Sequence, residues 1–165
     1  MNAADLRALL AYHYWARDRL LDAVGQLDVA TFTAARNSSF SSIRDTLAHT
    51  CLAESVWYSR WRGHPPSAFP ALDQFADVAS LTTAWHGIEQ QVRAFLEPMS
   101  DADVTRVVSY RLFSGAEGAS PLWQMVQHVV NHASYHRGQV TTMLRQAGAK
   151  PASSMDLIAF YRESQ

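Results

Sequence analysis

The chain has 165 residues, with 14 Lys and Arg against 15 Asp and Glu, a net charge of −1 and one cysteine. A chain of this size can bury about 70% of its unfolded surface in a single core, so no second domain is needed and one domain over 1–165 is expected. The balanced charge supplies no cationic excess for the phosphates of nucleic acid or for anionic lipid. Cys51 has no partner for an intramolecular disulfide, and no apolar run approaches the ~20 residues of a membrane span. Asp5 and Arg7 lie inside an amphipathic pattern rather than in a basic and then apolar leader. A cytoplasmic protein with neither nucleic acid nor membrane as partner is expected.

In chain order, residues 4–27 read as a first helix: Leu6, Leu9, Leu10, Leu20, Leu21, Val24 and Leu27 recur at three- and four-residue steps, and only His13 and Arg17 break the stripe. The serine-rich stretch Asn37 to Ser42 supplies a cap, Ser42 with Asp45, for a second helix from Ile43 to about Trp61, ended by Gly63. From His64 to about Ser80 three prolines exclude regular helix, and this long connection permits the second and third helices to run parallel. Trp85, Ile88, Val92, Phe95 and Leu96 mark the third helix, about Leu81 to Leu96, closed by Pro98. Val104 to Phe113 alternates and is rich in Val, Tyr and Phe, so a short β-hairpin or extended strap precedes the fourth helix. Ser120 reads as the cap of that helix and Pro121 as its first residue, and the helix runs to Arg145 and stops at Gly148. A short fifth helix, about Met155 to Arg162, completes an all-α four-helix bundle.

Three histidines at four-residue spacing stand on the fourth helix: His128, His132 and His136. With His132 at zero on a helical wheel, His136 falls about 40° to one side and His128 about 40° to the other. Leu122, Met125, Val126, Val129, Ala133, Val140, Met143 and Leu144 scatter around a direction roughly 75° from His132, on the side of His136. His132 and His136 therefore lean toward the core and form the metal-ligating pair. Two imidazoles a turn apart cannot complete the shell of one ion, so a third ligand comes from elsewhere, and His49 on the second helix is available. Taken alone, an H-x3-H pair is more often two hydrogen-bonded histidines at a core margin. The lean toward the core, the polar Arg137, Gly138 and Gln139 that follow, and His49 shift that balance toward a divalent metal ion, which satisfies several buried imidazoles together. Ala133 follows His132, so the adjacent glutamate base of the zinc peptidases is absent. Glu54 projects about 140° from His49 and is expected to partner a first-helix arginine. Cys51 and the five tryptophans are read as packing residues, and His13 as lying outside the ligand set.

Tyr12 to Leu21, then Ser42 to His49 with Glu54, Trp57 and Gly63, then Pro121-Leu122-Trp123, His128 to His132, Tyr135 to Gln139, and finally Asp156-Leu157-Ile158 with Tyr161-Arg162, together resemble the DinB/YfiT-like superfamily in its DNA-damage-inducible DinB branch. The resemblance runs almost end to end and is most specific on the fourth helix. It implies a four-helix bundle with parallel second and third helices, often paired as a homodimer, and a zinc or nickel ion held by His49, His132 and His136. It places His128 outside the ligand set. Two positions depart from the pattern, His13 where Asn is usual and Tyr135 where a further His is common. Relatives include transferases that join low-molecular-weight thiols to electrophiles and a thiol-dependent maleylpyruvate isomerase. The resemblance thus implies a metal-dependent enzyme that activates a small thiol for S-transfer or isomerisation, with thiol and electrophile as small-molecule partners. Tyr135 and Arg137 are then the candidate catalytic residues that orient substrate. The alternatives are a non-catalytic stress-response protein with a structural or ligand-binding metal, and a hydrolase working through metal-bound water.

Overall fold

The computed structural model describes residues 1–164. Helix α1, Ala3–Val24, starts on Asn2, whose side chain accepts from the Asp5 N–H while the Asp5 carboxylate accepts from the Asn2 N–H. It stops three residues before the expected Leu27, at a cap on Gly25. Asp28 caps a short α2, Val29–Thr33, which carries Phe32 into the core. Helix α3, Ile43–Trp61, begins as expected on Ser42, whose hydroxyl accepts from the Asp45 N–H. The connection that follows is not featureless: a 3-10 turn at Leu72–Gln74 leads Phe75 into the core. Helix α4, Val78–Leu96, starts a turn earlier than the apolar pattern shows, because Asp77 and Ser80 cap one another.

Val104 and Thr105 belong to a short helix α5, Asp101–Thr105, built on a Ser100 and Asp103 capping box, and not to a strand. The hairpin itself is present: β1, Val107–Arg111, pairs antiparallel with β2, Glu117–Pro121, around a turn in which Gly115 has φ 86°. Ser120 and Pro121 pair with Val108 and Val107 in this ladder. The expectation that they cap and open the last long helix is therefore corrected. Pro121 is extended, at φ −55° and ψ 140°, and α6, Leu122–Gln146, begins one residue later. A final helix α7 covers Leu157–Glu163 rather than starting at Met155.

The long helices α1, α3, α4 and α6 bury their stripes in two apolar clusters at opposite ends of the bundle. One end gathers Leu20, Leu21 and Val24 with Ile43, Leu47, Leu81, Trp85, Val140 and Leu144. The other gathers Leu6 and Leu10 with Tyr58, Trp61, Val92, Leu96, Met125 and Val126. These pairings fix the directions: α3 and α4 run parallel to each other and opposite to α1 and α6, which is the topology the long connection permits. Aliphatic and aromatic side chains fill both ends, and His13, Glu54 and His136 are buried between them.

Candidate metal centre

Antiparallel packing of α3 on α6 brings His49 to His132 and His136 near mid-bundle. The Nε2 atoms of His49 and His132 lie 3.2 Å apart and those of His132 and His136 3.0 Å apart. One ligand atom from each of the three imidazoles lies within 4.8 Å of the other two. Nitrogens bound at about 2.0 to 2.1 Å to one ion stand about 2.9 to 3.4 Å from each other in octahedral or tetrahedral geometry, so the two closest spacings fit a common ion. His136 is buried, and His49 and His132 are half-buried, which leaves one side of the cluster facing outward. His128 is exposed and packs on Trp57 with ring centres 4.9 Å apart, outside the group. His132 and His136 thus stand apart from His128 on α6, as the helical wheel predicts.

The protonation chemistry suits a cation. Burial and then the neighbouring His136 push the His49 pKa down to about 4, and burial and the other histidines take His132 to about 4 as well. Burial also lowers His136. All three are neutral donors at pH 7. The orientation of His136 is set by Gln139, whose Oε1 accepts from Nδ1 at 2.7 Å, while the Gln139 amide nitrogen donates to Ser39 Oγ at 2.9 Å. With the proton on Nδ1, the Nε2 lone pair points into the cluster. Phe40 and Phe69 stack on the His49 ring at 4.3 and 5.3 Å between centres. Both come from irregular stretches without periodicity, and neither could be singled out in the sequence.

Other residues fall elsewhere. Tyr135 is 63% exposed, its ring 5.1 Å from His136, at the rim of the cluster. Arg137 is not brought to the histidines: its guanidinium points across to α1 and donates to Tyr12 Oη at 3.3 Å and Ser134 Oγ at 2.6 Å. Glu54 does not pair with a first-helix arginine. Its carboxylate accepts from His13 Nε2 at 3.0 Å, Tyr14 Oη at 2.6 Å and Trp85 Nε1 at 2.7 Å, while Arg17 turns to Asp18 and Glu89. His13 therefore belongs to a separate polar cluster. Cys51 is a buried free thiol, with burial and then Glu54 holding its pKa far up, as a packing residue requires.

A helical bundle carrying three convergent histidines on two antiparallel helices defines the class to which the chain conforms. The DinB family profile matches residues 1–163, and the chain belongs to the DinB family. Protein DinB of Bacillus subtilis is 24% identical over 147 residues, 85% of this chain and 84% of the relative. The crystal structure of a DinB-like protein from Bacillus cereus superposes with a TM-score of 0.75 at 17% identity, covering 93% of this chain and 97% of the other. An uncharacterised protein from Escherichia coli matches with a TM-score of 0.59 at 10% identity, covering 90% and 96%. At these identities the solved structures speak to the fold alone. No helix is long and apolar enough to cross a membrane among the described residues.

Proposed function

We propose that His49, His132 and His136 hold one divalent ion, zinc or nickel, and that the site activates a small thiol for transfer to an electrophile or for isomerisation. The observation that carries the reading is the convergence of three neutral Nε2 atoms at 3.0 to 3.2 Å steps, with no carboxylate among them. When bound, the ion supplies an undiminished positive charge and an open position, which favours the thiolate form of a thiol near neutral pH. The residues of the chain do the rest. Gln139 keeps the His136 lone pair inward, Phe40 and Phe69 fix the His49 plane and cover that side, and the exposed Tyr135 ring beside His136 is the group assigned to orient an incoming substrate. Arg137 is assigned no contact with substrate in this reading, because its guanidinium is committed to Tyr12 and Ser134.

The test is a calorimetric titration of zinc-loaded and metal-free protein with 2-mercaptoethanol, followed by thiol consumption with a generic alkylating electrophile. Binding and acceleration by the loaded protein alone are expected. A loaded protein that retains zinc in His128→Ala, loses it in His132→Ala, and yet binds no thiol would leave a structural metal as the function of the site.

A further inference from the structure

We infer that Arg60 is an anion receptor beside the three histidines, so that a ligand taken there joins a carboxylate, or an equivalent single anion, to a flat apolar body. The inference rests on the reading that this site binds a small ligand, and it names what kind.

Arg60 follows His49 by 11 positions on α3, which returns it to within about 20° of the same helix face and about 16 Å farther along the axis. Side chains of a helix lean toward its N-terminus, so the guanidinium reaches back toward His49. Ala53 and Val56, the residues of that face between them, are small or short. Two chains of ring contacts join Arg60 to the histidines. Its Cζ lies 4.8 Å from the centre of Trp57, which packs on His128 at 4.9 Å, which in turn meets His132 at 5.9 Å. On the other flank Cζ lies 4.9 Å from the centre of Phe113, which meets Phe69 at 6.1 Å, and Phe69 stacks on His49.

The guanidinium has no counter-charge. Arg60 is 5% exposed, its Nε is buried without a partner, and among the described residues no carboxylate, carbonyl or hydroxyl accepts from its side chain. The other two buried arginines each leave Nη1 unpaired but have acceptors for their guanidinium: Arg17 donates to Asp18 and Glu89, and Arg137 donates through Nη2 to Tyr12 and Ser134. Asp45, one turn before His49, is already taken by Arg44 and Ser41. Contacts with the Trp57 and Phe113 rings offset only part of the desolvation of a cation. A bidentate carboxylate would supply what is missing, and the rings of Trp57, Phe69 and Phe113 offer faces for a planar body beside it.

The experiment uses zinc-loaded protein and a matched pair of probes, phenylacetate and phenylacetamide, which differ only in charge at the head group. Calorimetry should show phenylacetate bound more tightly than the amide. Arg60→Gln should weaken phenylacetate about 10- to 100-fold, leave the amide unchanged and keep zinc content at the wild-type value. In wild-type protein the Arg60 Nε–Hε resonance should shift on addition of phenylacetate and not of the amide, a readout that does not depend on the variant folding. Unchanged phenylacetate affinity in Arg60→Gln with zinc retained, an unmoved Arg60 resonance, or no preference for phenylacetate in wild type would each overturn the assignment. Zinc content and thiol binding are recorded separately, so loss of the metal reading is distinguishable from loss of this one.

Discussion

Two groups of buried polar residues occupy the middle of the bundle, and they are closed in opposite ways. Around Glu54, three donors from three helix positions, His13, Tyr14 and Trp85, converge on one carboxylate, whose partners all lie within the chain, with His13 Nδ1 left without a partner. Around His132, the Nε2 atoms of three imidazoles face one another, with no acid to balance a proton. The first arrangement stabilises the fold by itself. The second is a set of lone pairs in search of a cation. Histidine on an apolar stripe has no single meaning: His13 and His136 are both buried, and only what faces them distinguishes a structural group from a candidate ligand.

The largest effect should come from opening the closed cluster. Glu54→Ala leaves the donors of His13, Tyr14 and Trp85 without an acceptor in the interior, a loss of about 3 to 5 kcal/mol on the scale of broken buried pairs, measured by urea unfolding of the metal-free protein. His132→Ala in the same metal-free protein should cost far less. Comparable losses in the two variants would erase the contrast. The open cluster should show its worth only with metal present. Zinc at 100 times its dissociation constant should stabilise wild type and His128→Ala by about 2.7 kcal/mol, and His132→Ala by none of that amount. Equal zinc stabilisation in the two histidine variants would remove His132 from the ligand set. A step smaller, Gln139→Ala frees the His136 ring to take the other tautomer and should weaken zinc by about 10- to 100-fold, followed by competition with a chromogenic chelator. An unchanged affinity would mean that the Gln139 hydrogen bond does not set the tautomer.

The grouping of the three histidines is legible because helical geometry is regular: His136 and His128 stand about 80° apart on the wheel, and the apolar positions of α6 say which side is inward. What closes each cluster was not legible. The angle of Glu54 to His49 shows that it faces another helix, but not which residue of that helix meets it, and Arg17 and His13 lie one turn apart on α1. Opposite charge points to the arginine, whereas Arg17 reaches Glu89 on α4 and the His13 imidazole meets Glu54. Phe40 and Phe69 carry no signal, because stacking from irregular chain has no period. Ser120 and Pro121 misled for a different reason: cap and strand end call for the same extended backbone, and the ladder to Val107 and Val108 decides between them. The capping pairs of α4 and α5, Asp77 with Ser80 and Ser100 with Asp103, were readable but lie outside the apolar stripes that guided the boundaries.

The subtlest expected effect is a change of slope with pH, and it sharpens the contrast from the side of the closed cluster. Burial by itself raises the pKa of Glu54, but the neighbouring His13 and the hydrogen bonds from His13, Tyr14 and Trp85 outweigh it and hold the carboxyl below its usual value. A carboxyl whose folded pKa is depressed binds fewer protons in the folded state than in the unfolded chain. Its contribution to stability is therefore fully present above the unfolded value of about 4.3 and is lost as pH falls through the lower folded one. Glu54→Gln keeps the shape and an acceptor oxygen but cannot titrate. Urea unfolding of metal-free wild type should thus fall more steeply below about pH 4.3 than that of the glutamine variant, with the two curves offset but parallel from pH 5 upward. Parallel curves through the acid range as well would mean that Glu54 is not held ionised by its three donors, and that the cluster is closed by shape rather than by charge.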